Sequence, residues 1–446
     1  MAIQKVLVAN RGEIASRIIR TCQARGIKTV SVYSEADQEL PFVEQADESV
    51  CIGPPPVAKS YLQMDAIIGA AQETGADAIH PGYGLLSENA EFAQKVIDAG
   101  LTWIGPAPAV IALMGDKVMA RKTMQKAGVP TVPGTDQIQN VEEAIHAAEQ
   151  IGFPVMIKAS AGGGGIGMHV CHTAEELNKI FSSVQTRARS YFGDDTLFME
   201  KWIGKSRHVE VQIIADSQGH VLHLFERECS VQRRNQKVIE ESLSPSIRPE
   251  TRKRLHDAAM RAAQAVQYTG AGTVEFLVGP DDVFYFLEMN TRLQVEHPVT
   301  ECITGLDLVS LQLDIACGQP LPFKQEEIQS KGHAIEFRIY AEDPIRFMPA
   351  PGKITRFRFP DGKGIRVDAG VKEGNTVSPF YDPLIAKCIV SGCNRQEVIE
   401  KSKDALQAFE VEGIQTNIPA LLRVLEEPQF VKGHYHTQLL DEMRQR

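Results

Sequence analysis

Val283-Phe284-Tyr285-Phe286-Leu287-Glu288-Met289-Asn290-Thr291-Arg292-Leu293-Gln294-Val295-Glu296-His297-Pro298 is the stretch on which the fold turns. It is preceded by the apolar run Gly272-Thr273-Val274-Glu275-Phe276-Leu277-Val278 and the turn Gly279-Pro280-Asp281-Asp282. Two runs of β-branched and aromatic residues around such a turn predict an antiparallel hairpin. Pairing Val278 with Val283 would set Glu275 opposite Phe286, with Glu288 as its diagonal neighbour and Asn290 one pleat further. Two carboxylates and an amide oxygen among apolar neighbours suit one or two Mg²⁺ ions held together with substrate phosphates, because buried like charges need a cation. Directly after the hairpin, Arg292, Gln294 and Glu296 alternate, so an extended chain puts them on one side. An arginine forks onto a planar oxyanion such as bicarbonate or a carboxylate, and a nearby Glu can take its proton.

Upstream, Lys158-Ala159-Ser160-Ala161-Gly162-Gly163-Gly164-Gly165-Ile166-Gly167 follows the strand-like Pro154-Val155-Met156-Ile157. Consecutive glycines let the backbone bend around phosphate oxygens and present N–H groups, and Lys158 adds a point charge at the strand end. No Gly-Lys-Ser/Thr closes the run, so it is not a Walker A loop. The first hundred residues alternate strands (Lys5 to Ala9, Thr29 to Tyr33, Ala78-Ile79) with helical spacing at Ile14, Ile18 and Ile19 and over Met64 to Thr74. That pattern predicts a parallel sheet covered on both faces, with ligand loops at the carboxyl ends of its strands, here Asn10 and Pro81 to Tyr83. Gln232-Arg233-Arg234-Asn235-Gln236-Lys237 reads as a solvated charge run. Arg338, in the alternating Ala334 to Ile339, faces away from the core, toward solvent or a site.

The chain has 446 residues and a formal charge of −10, which predicts two or three domains and argues against general nucleic-acid binding. With 43% hydrophobic and 23% charged residues it is an ordinary globular composition. Eight cysteines without a CxxC pair argue against a disulfide framework or zinc site. No run approaches the roughly 18 apolar residues of a membrane span. No secretory leader is evident at Met1 to Arg11, so the cytoplasm is the expected location.

The ordered set Ala9-Asn10-Arg11-Gly12-Glu13-Ile14-Ala15, His80-Pro81-Gly82-Tyr83-Gly84, Gly115-Asp116-Lys117, Lys158 with its glycine run, Met199-Glu200-Lys201, Arg207-His208-Val209-Glu210, Glu288 to Pro298 and Tyr381-Asp382 closely resembles biotin carboxylase, the ATP-grasp component of biotin-dependent carboxylases. The resemblance spans nearly the whole chain. It implies an α/β fold (α+β overall) of ATP-grasp type: an N-terminal doubly wound domain (1–114), a linker (115–130), a lid (131–203), a body with the Mg²⁺ and bicarbonate site (204–330) and a C-terminal domain (331–446).

The resemblance also implies roles. Lys117 and Lys158 would contact ATP, Gly162, Gly163, Gly164 and Gly165 would close over its phosphates, and Glu200, Lys201 and Ile203 would form the adenine segment. His208 and Gln232 would lie near ribose and phosphates. Glu275, Glu288 and Asn290 would hold Mg²⁺ or Mn²⁺. Lys237, Arg292, Gln294, the Val295 backbone and Glu296 would surround bicarbonate, with Glu296 as base, and Tyr83 and Arg338 would sit by biotin. The family usually has Arg or Lys at position 166, Arg at 169 and His at 235, where this chain has Ile166, His169 and Asn235. The chain carries no Ala-Met-Lys-Met biotinylation motif, so a biotin carrier protein and a carboxyltransferase are expected on separate chains, and a homodimer is expected by family habit. The competing readings are another ATP-grasp ligase and a non-catalytic nucleotide-binding regulatory subunit.

Overall fold

The computed structural model describes residues 2–159, 168–192 and 194–445. Its first unit is a five-stranded parallel sheet in the spatial order Glu48–Cys51, Lys28–Tyr33, Lys5–Val8, Ala78–His80, Thr102–Trp103. Val6, Leu7 and Val8 are fully buried, as a strand covered on both faces requires. Strand order reverses at Lys5–Val8, so the loops leaving that strand and Ala78–His80 open side by side. Asn10 is the clamp between them: its Nδ2 donates to the carbonyls of Pro81 (2.7 Å) and Tyr83 (2.8 Å). Gly82 sits against this amide with φ +64°, where a Cβ would come within 2.8 Å of Asn10 Nδ2. Asn10, expected in a ligand loop, serves to shape the loop that carries Tyr83.

A small unit follows, with the antiparallel sheet Met168–Cys171, Val155–Ala159, Leu197–Lys201 under the helices Val141–Ile151 and Ala174–Phe192. It has its own core, including Ala148, Ile157, Phe181 and Leu197.

The largest element is an eight-stranded antiparallel sheet. It runs Phe284–Asn290, Gly270–Val278, Arg207–Ala215, Val221–Arg233, Gln236–Ser242, His333–Tyr340, Leu384–Gly392, Ile365–Ala369. It continues without a break across position 330. One apolar cluster joins its Phe337 and Val390 to Ile14 and Ile18 of the helix Gly12–Ala24. The N-terminal sheet and the C-terminal strands are therefore held by shared core.

The hairpin forms, but not in the expected register. Gly279 N–H donates to the Val283 carbonyl (2.8 Å), so Val278 faces Phe284 and not Val283. The register then shifts at Leu287, which bulges, and Glu275 lies directly opposite Glu288. The two carboxylates are cross-strand partners where a diagonal pair was expected.

Candidate active site

Four neighbouring strands set charged residues abreast. Arg227 is opposite Glu210, Glu210 opposite Glu275, and Glu275 opposite Glu288. One cation against three carboxylates is unbalanced, and the hairpin Val221–Ser242 supplies the second cation. Lys237 Nζ bonds Glu210 and reaches Glu275 Oε1 at 2.8 Å and Glu296 Oε1 at 2.7 Å. The stretch Gln232 to Lys237 is therefore not a solvated run: Arg233 is buried against Glu342, and only Arg234, Asn235 and Gln236 are exposed.

Glu296 sits between two cations. Its second oxygen accepts from Arg338 Nη2 at 3.0 Å, and the same nitrogen lies 2.6 Å from Glu240 Oε1. Burial alone would raise the Glu296 pKa, but Lys237, Arg338 and Arg227 hold it well below the ordinary carboxylate range. Burial would lower Lys237, and Glu210, Glu275 and Glu296 raise it well above the usual lysine value. Behind Arg338, burial pushes Glu240 up to about 7. The sequence placed Arg338 toward solvent or a site; it is buried and turned to the site.

Asn290 and Gln294 brace Glu275, each donating to its Oε1, at 2.9 and 2.8 Å. The Asn290 amide oxygen accepts from Arg292 (2.8 Å), so Asn290 links the carboxylate pair to the arginine. Arg292 is further fixed by Glu88 Oε2 (2.8 Å) from the N-terminal unit. The Val295 carbonyl accepts from the buried Lys387 (2.8 Å), which leaves its N–H as the group suited to an anion. Glu288 stays solvent-exposed. The walls around it and the Glu275 charge raise its pKa. Like-charge strain between opposed carboxylates is what a divalent ion relieves, so the pair fits Mg²⁺. His208, Glu210 and Glu275 also present ligand atoms within 4.8 Å of one another.

In the small unit, where the nucleotide contacts were expected, Lys158 pairs with Glu200 across the sheet. Lys201 does not point with them. Its ammonium caps the helix Val141–Ile151 through the carbonyls of Gly152 (2.7 Å) and Phe153 (3.0 Å), so any nucleotide contact falls to its backbone. Ile203 packs beside the hairpin turn at Gly279. Gln232 Nε2 is 3.2 Å from His208 Nδ1, and His208 Nε2 is 2.8 Å from Glu275. Lys117 is exposed at the start of the helix Lys117–Lys126, close enough for its charge to act on Glu288. Tyr83 donates to Glu13. Gly162, Gly163, Gly164, Gly165 and Ile166 lie outside the described residues.

Arg227 was missed from the sequence and is central. It is fully buried and uses all its donor positions: Glu210 (2.6 Å), Gln212 (2.7 Å), Thr300 (3.0 Å), Thr273 (3.1 Å) and Gln294. The signal was present as His208, Glu210, Gln212, three polar residues alternating through a strand that after Arg207 is otherwise Val, Ile and Ala. Such a face has to be satisfied by a buried partner.

Three family models cover the chain. Residues 2–111 match "Biotin carboxylase, N-terminal domain", 116–324 match "Carbamoyl-phosphate synthase L chain, ATP binding domain", and 336–442 match "Biotin carboxylase C-terminal domain". Biotin carboxylase of Halalkalibacterium halodurans is 56% identical over 435 residues, covering 97% of this chain and 96% of the relative. The structure of a biotin carboxylase–beta-gamma-ATP complex from Campylobacter jejuni superposes with a TM-score of 0.94 at 45% identity, covering 99% of both chains. The biotin carboxylase domain dimer of the Hydrogenobacter thermophilus 2-oxoglutarate carboxylase, in complex with MgADP, ADP and bicarbonate, gives 0.93 at 45% identity, covering 99% of this chain and 98% of that one.

Proposed function

The chain belongs to the biotin carboxylase family, and from that premise we propose how its residues divide the work of carboxylating biotin. Its fold is that of the ATP-grasp ligases, and the reaction is ATP- and bicarbonate-dependent formation of N-carboxybiotin with release of ADP and phosphate. The observation that carries the division of roles is Glu296, with one oxygen on Lys237 and the other on Arg338. It supports reading Glu296 as a base between a cation suited to phosphate and a cation suited to the biotin ureido oxygen.

Arg292, Gln294 and the Val295 N–H orient bicarbonate, and Glu296 takes its proton. Lys237, Arg338 and Arg227 hold the Glu296 pKa well below the ordinary carboxylate range, which makes it a weak base while all three bear on it. A phosphate that draws Lys237 toward itself raises the basicity of Glu296 when it is needed. The bicarbonate oxygen attacks the γ-phosphorus, the bond to the ADP oxygen breaks, and Lys237 offsets the charge that develops on the transferred group. Mg²⁺ or Mn²⁺ held by Glu275 and Glu288 supplies further charge neutralisation for the phosphates, with Asn290 beside them. Carboxyphosphate breaks down to CO₂ and phosphate. The phosphate accepts the ureido N–H proton, Arg338 stabilises the oxygen of the resulting anion, and the nitrogen attacks CO₂. Tyr83 borders the biotin. Lys117, Lys158, Glu200, His208, Gln232, Ile203 and the Lys201 backbone take the nucleotide, under the glycine run Gly162 to Gly165.

The domain limits 1–114, 115–130, 131–203, 204–330 and 331–446 are proposed on the same footing. The separate core of the small unit supports a lid that moves as a body and excludes water from a labile intermediate. Biotin reaches the site on a carrier protein, with carboxyltransferase on a further chain, and the enzyme works as a homodimer. Eight free thiols support a reducing, cytoplasmic setting. Among the described residues no helix is long and apolar enough to cross a membrane. The test is ADP release with bicarbonate and free biotin. Biotin-stimulated turnover is expected; ATP binding without it would overturn the proposal and favour a regulatory nucleotide-binding subunit.

A further inference from the structure

We propose that Glu13 is a positioning residue for the carboxylation step, holding Tyr83 in register with the bicarbonate segment. The inference rests on the proposed placing of biotin by Tyr83. The Tyr83 hydroxyl donates to one oxygen of Glu13. The other oxygen is 3.1 Å from Lys387 Nζ. Lys387 in turn donates to the Val295 carbonyl at 2.8 Å, between the anion-binding Gln294 and the base Glu296. Three chain segments far apart in sequence thus meet through one carboxylate: the loop after Ala78–His80, the helix Gly12–Ala24 and the strand Leu384–Gly392.

Glu13 and Lys387 are buried, at 4% and 0% exposure, so the link is not loosened by water. The approach is tight by construction. Gly370 abuts the start of the helix, where a Cβ would lie 2.7 Å from the Glu13 nitrogen. The hydrogen bond from Tyr83 to the buried carboxylate fixes the direction of the hydroxyl, and the Lys387 ion pair holds the carboxylate in place by charge. Glu13 itself touches no reacting atom in this scheme. It acts through Tyr83 on one side and, through Lys387, shares an anchor with the bicarbonate segment on the other. Lys387 also donates to the Val295 carbonyl and has the Asp368 charge near it, so neutralising Glu13 is expected to act chiefly on the biotin side.

The experiment compares wild type, Glu13→Gln, Tyr83→Phe and the double variant, with free biotin, after thermal unfolding has confirmed that each is folded. Two rates are read: bicarbonate-dependent ATP cleavage without biotin, and its stimulation by biotin. Wild-type stimulation by biotin tests the underlying reading separately. Glu13→Gln is expected to raise the KM for biotin about tenfold, the scale of one charge-assisted hydrogen bond. It should leave the biotin-free rate within about twofold. The double variant should match Tyr83→Phe alone, because a residue that acts through Tyr83 has nothing to act on once the hydroxyl is gone. If Glu13→Gln does not fold, Glu13→Asp, which keeps the charge and shortens its reach, is read in the same way. An unchanged KM for biotin, an equal fall in both rates, or multiplicative effects in the double variant would overturn the inference.

Discussion

Replacing Arg227 with Met removes the most heavily bonded side chain of the site while keeping a similar length. The guanidinium is fully buried and donates to Glu210, Gln212, Thr300, Thr273 and Gln294. Removing one partner of a buried ion pair costs about 3–5 kcal/mol, because the other is left uncompensated. Here the low end applies, since Lys237 also bonds Glu210 and shares its charge with it. We expect Arg227→Met to lose about 3 kcal/mol and Arg227→Lys about 1–2 kcal/mol, since Lys restores the charge but has three donors where the fork has five. Both variants release Gln294, so both should raise the KM for bicarbonate, by roughly tenfold on the scale of small misplacements. Urea unfolding followed by far-UV circular dichroism is the suitable assay. The two tryptophans, Trp103 and Trp202, lie outside the eight-stranded sheet and would not report on it. Adding Glu210→Gln to Arg227→Met should recover stability, because it removes the stranded charge. Equal losses for the Met and Lys variants, or a loss below about 1 kcal/mol for Met, would refute the reasoning.

Glu296→Ala should abolish bicarbonate-dependent ATP cleavage, by about 10²-fold or more, while nucleotide binding by equilibrium dialysis is kept; unchanged turnover would remove Glu296 as the base. Asn290→Ala should weaken the dependence on Mg²⁺ by roughly 10–100-fold in a metal titration of ATP cleavage, since the amide orients Glu275. Burial raises Glu228 from 4.5 to about 7, so the folded protein holds a proton that the unfolded chain gives up from about pH 4.5. The folded state therefore loses stability as pH rises from about 4.5 to 7. Glu228→Gln should reduce that slope, leaving the part that Glu240 contributes, and stabilise the protein at pH 8 by up to about 3 kcal/mol, as read by urea midpoints across the pH series.

The hairpin shows how far a sequence can be followed. Its two runs and its turn were legible from composition and alternation. Its register was not, because the turn takes one residue more and the bulge at Leu287 shifts the pairing by one more, which brings Glu288 opposite Glu275. Both depend on how Phe284–Asn290 twists against Gly270–Val278, which the local pattern does not carry. Lys237 was named through resemblance, yet the residues themselves read as a solvated run. Its partners Glu275 and Glu296 are 38 and 59 positions away, and no local rule links them. Asn10 and Lys201 show the reverse case. Each stands in a motif that suggested a ligand contact, and each spends its side chain on the backbone of its own fold.

By itself the sequence determined the classes of element, the parallel N-terminal unit, the family and the identity of most charged residues at the site. These follow from periodicity, turn chemistry and motif order, which are properties of neighbouring positions. Only the tertiary structure decided which charges meet. Arg227, Glu210, Glu275 and Glu288 stand abreast because antiparallel pairing aligns four strands, and Lys237 and Arg338 grip opposite oxygens of Glu296 because separate strands and a loop converge there. The low pKa of Glu296 and the raised one of Glu288 belong to that arrangement. Coulomb interactions and desolvation depend on distance through space and on burial, and the linear order of residues specifies neither until the sheet has formed.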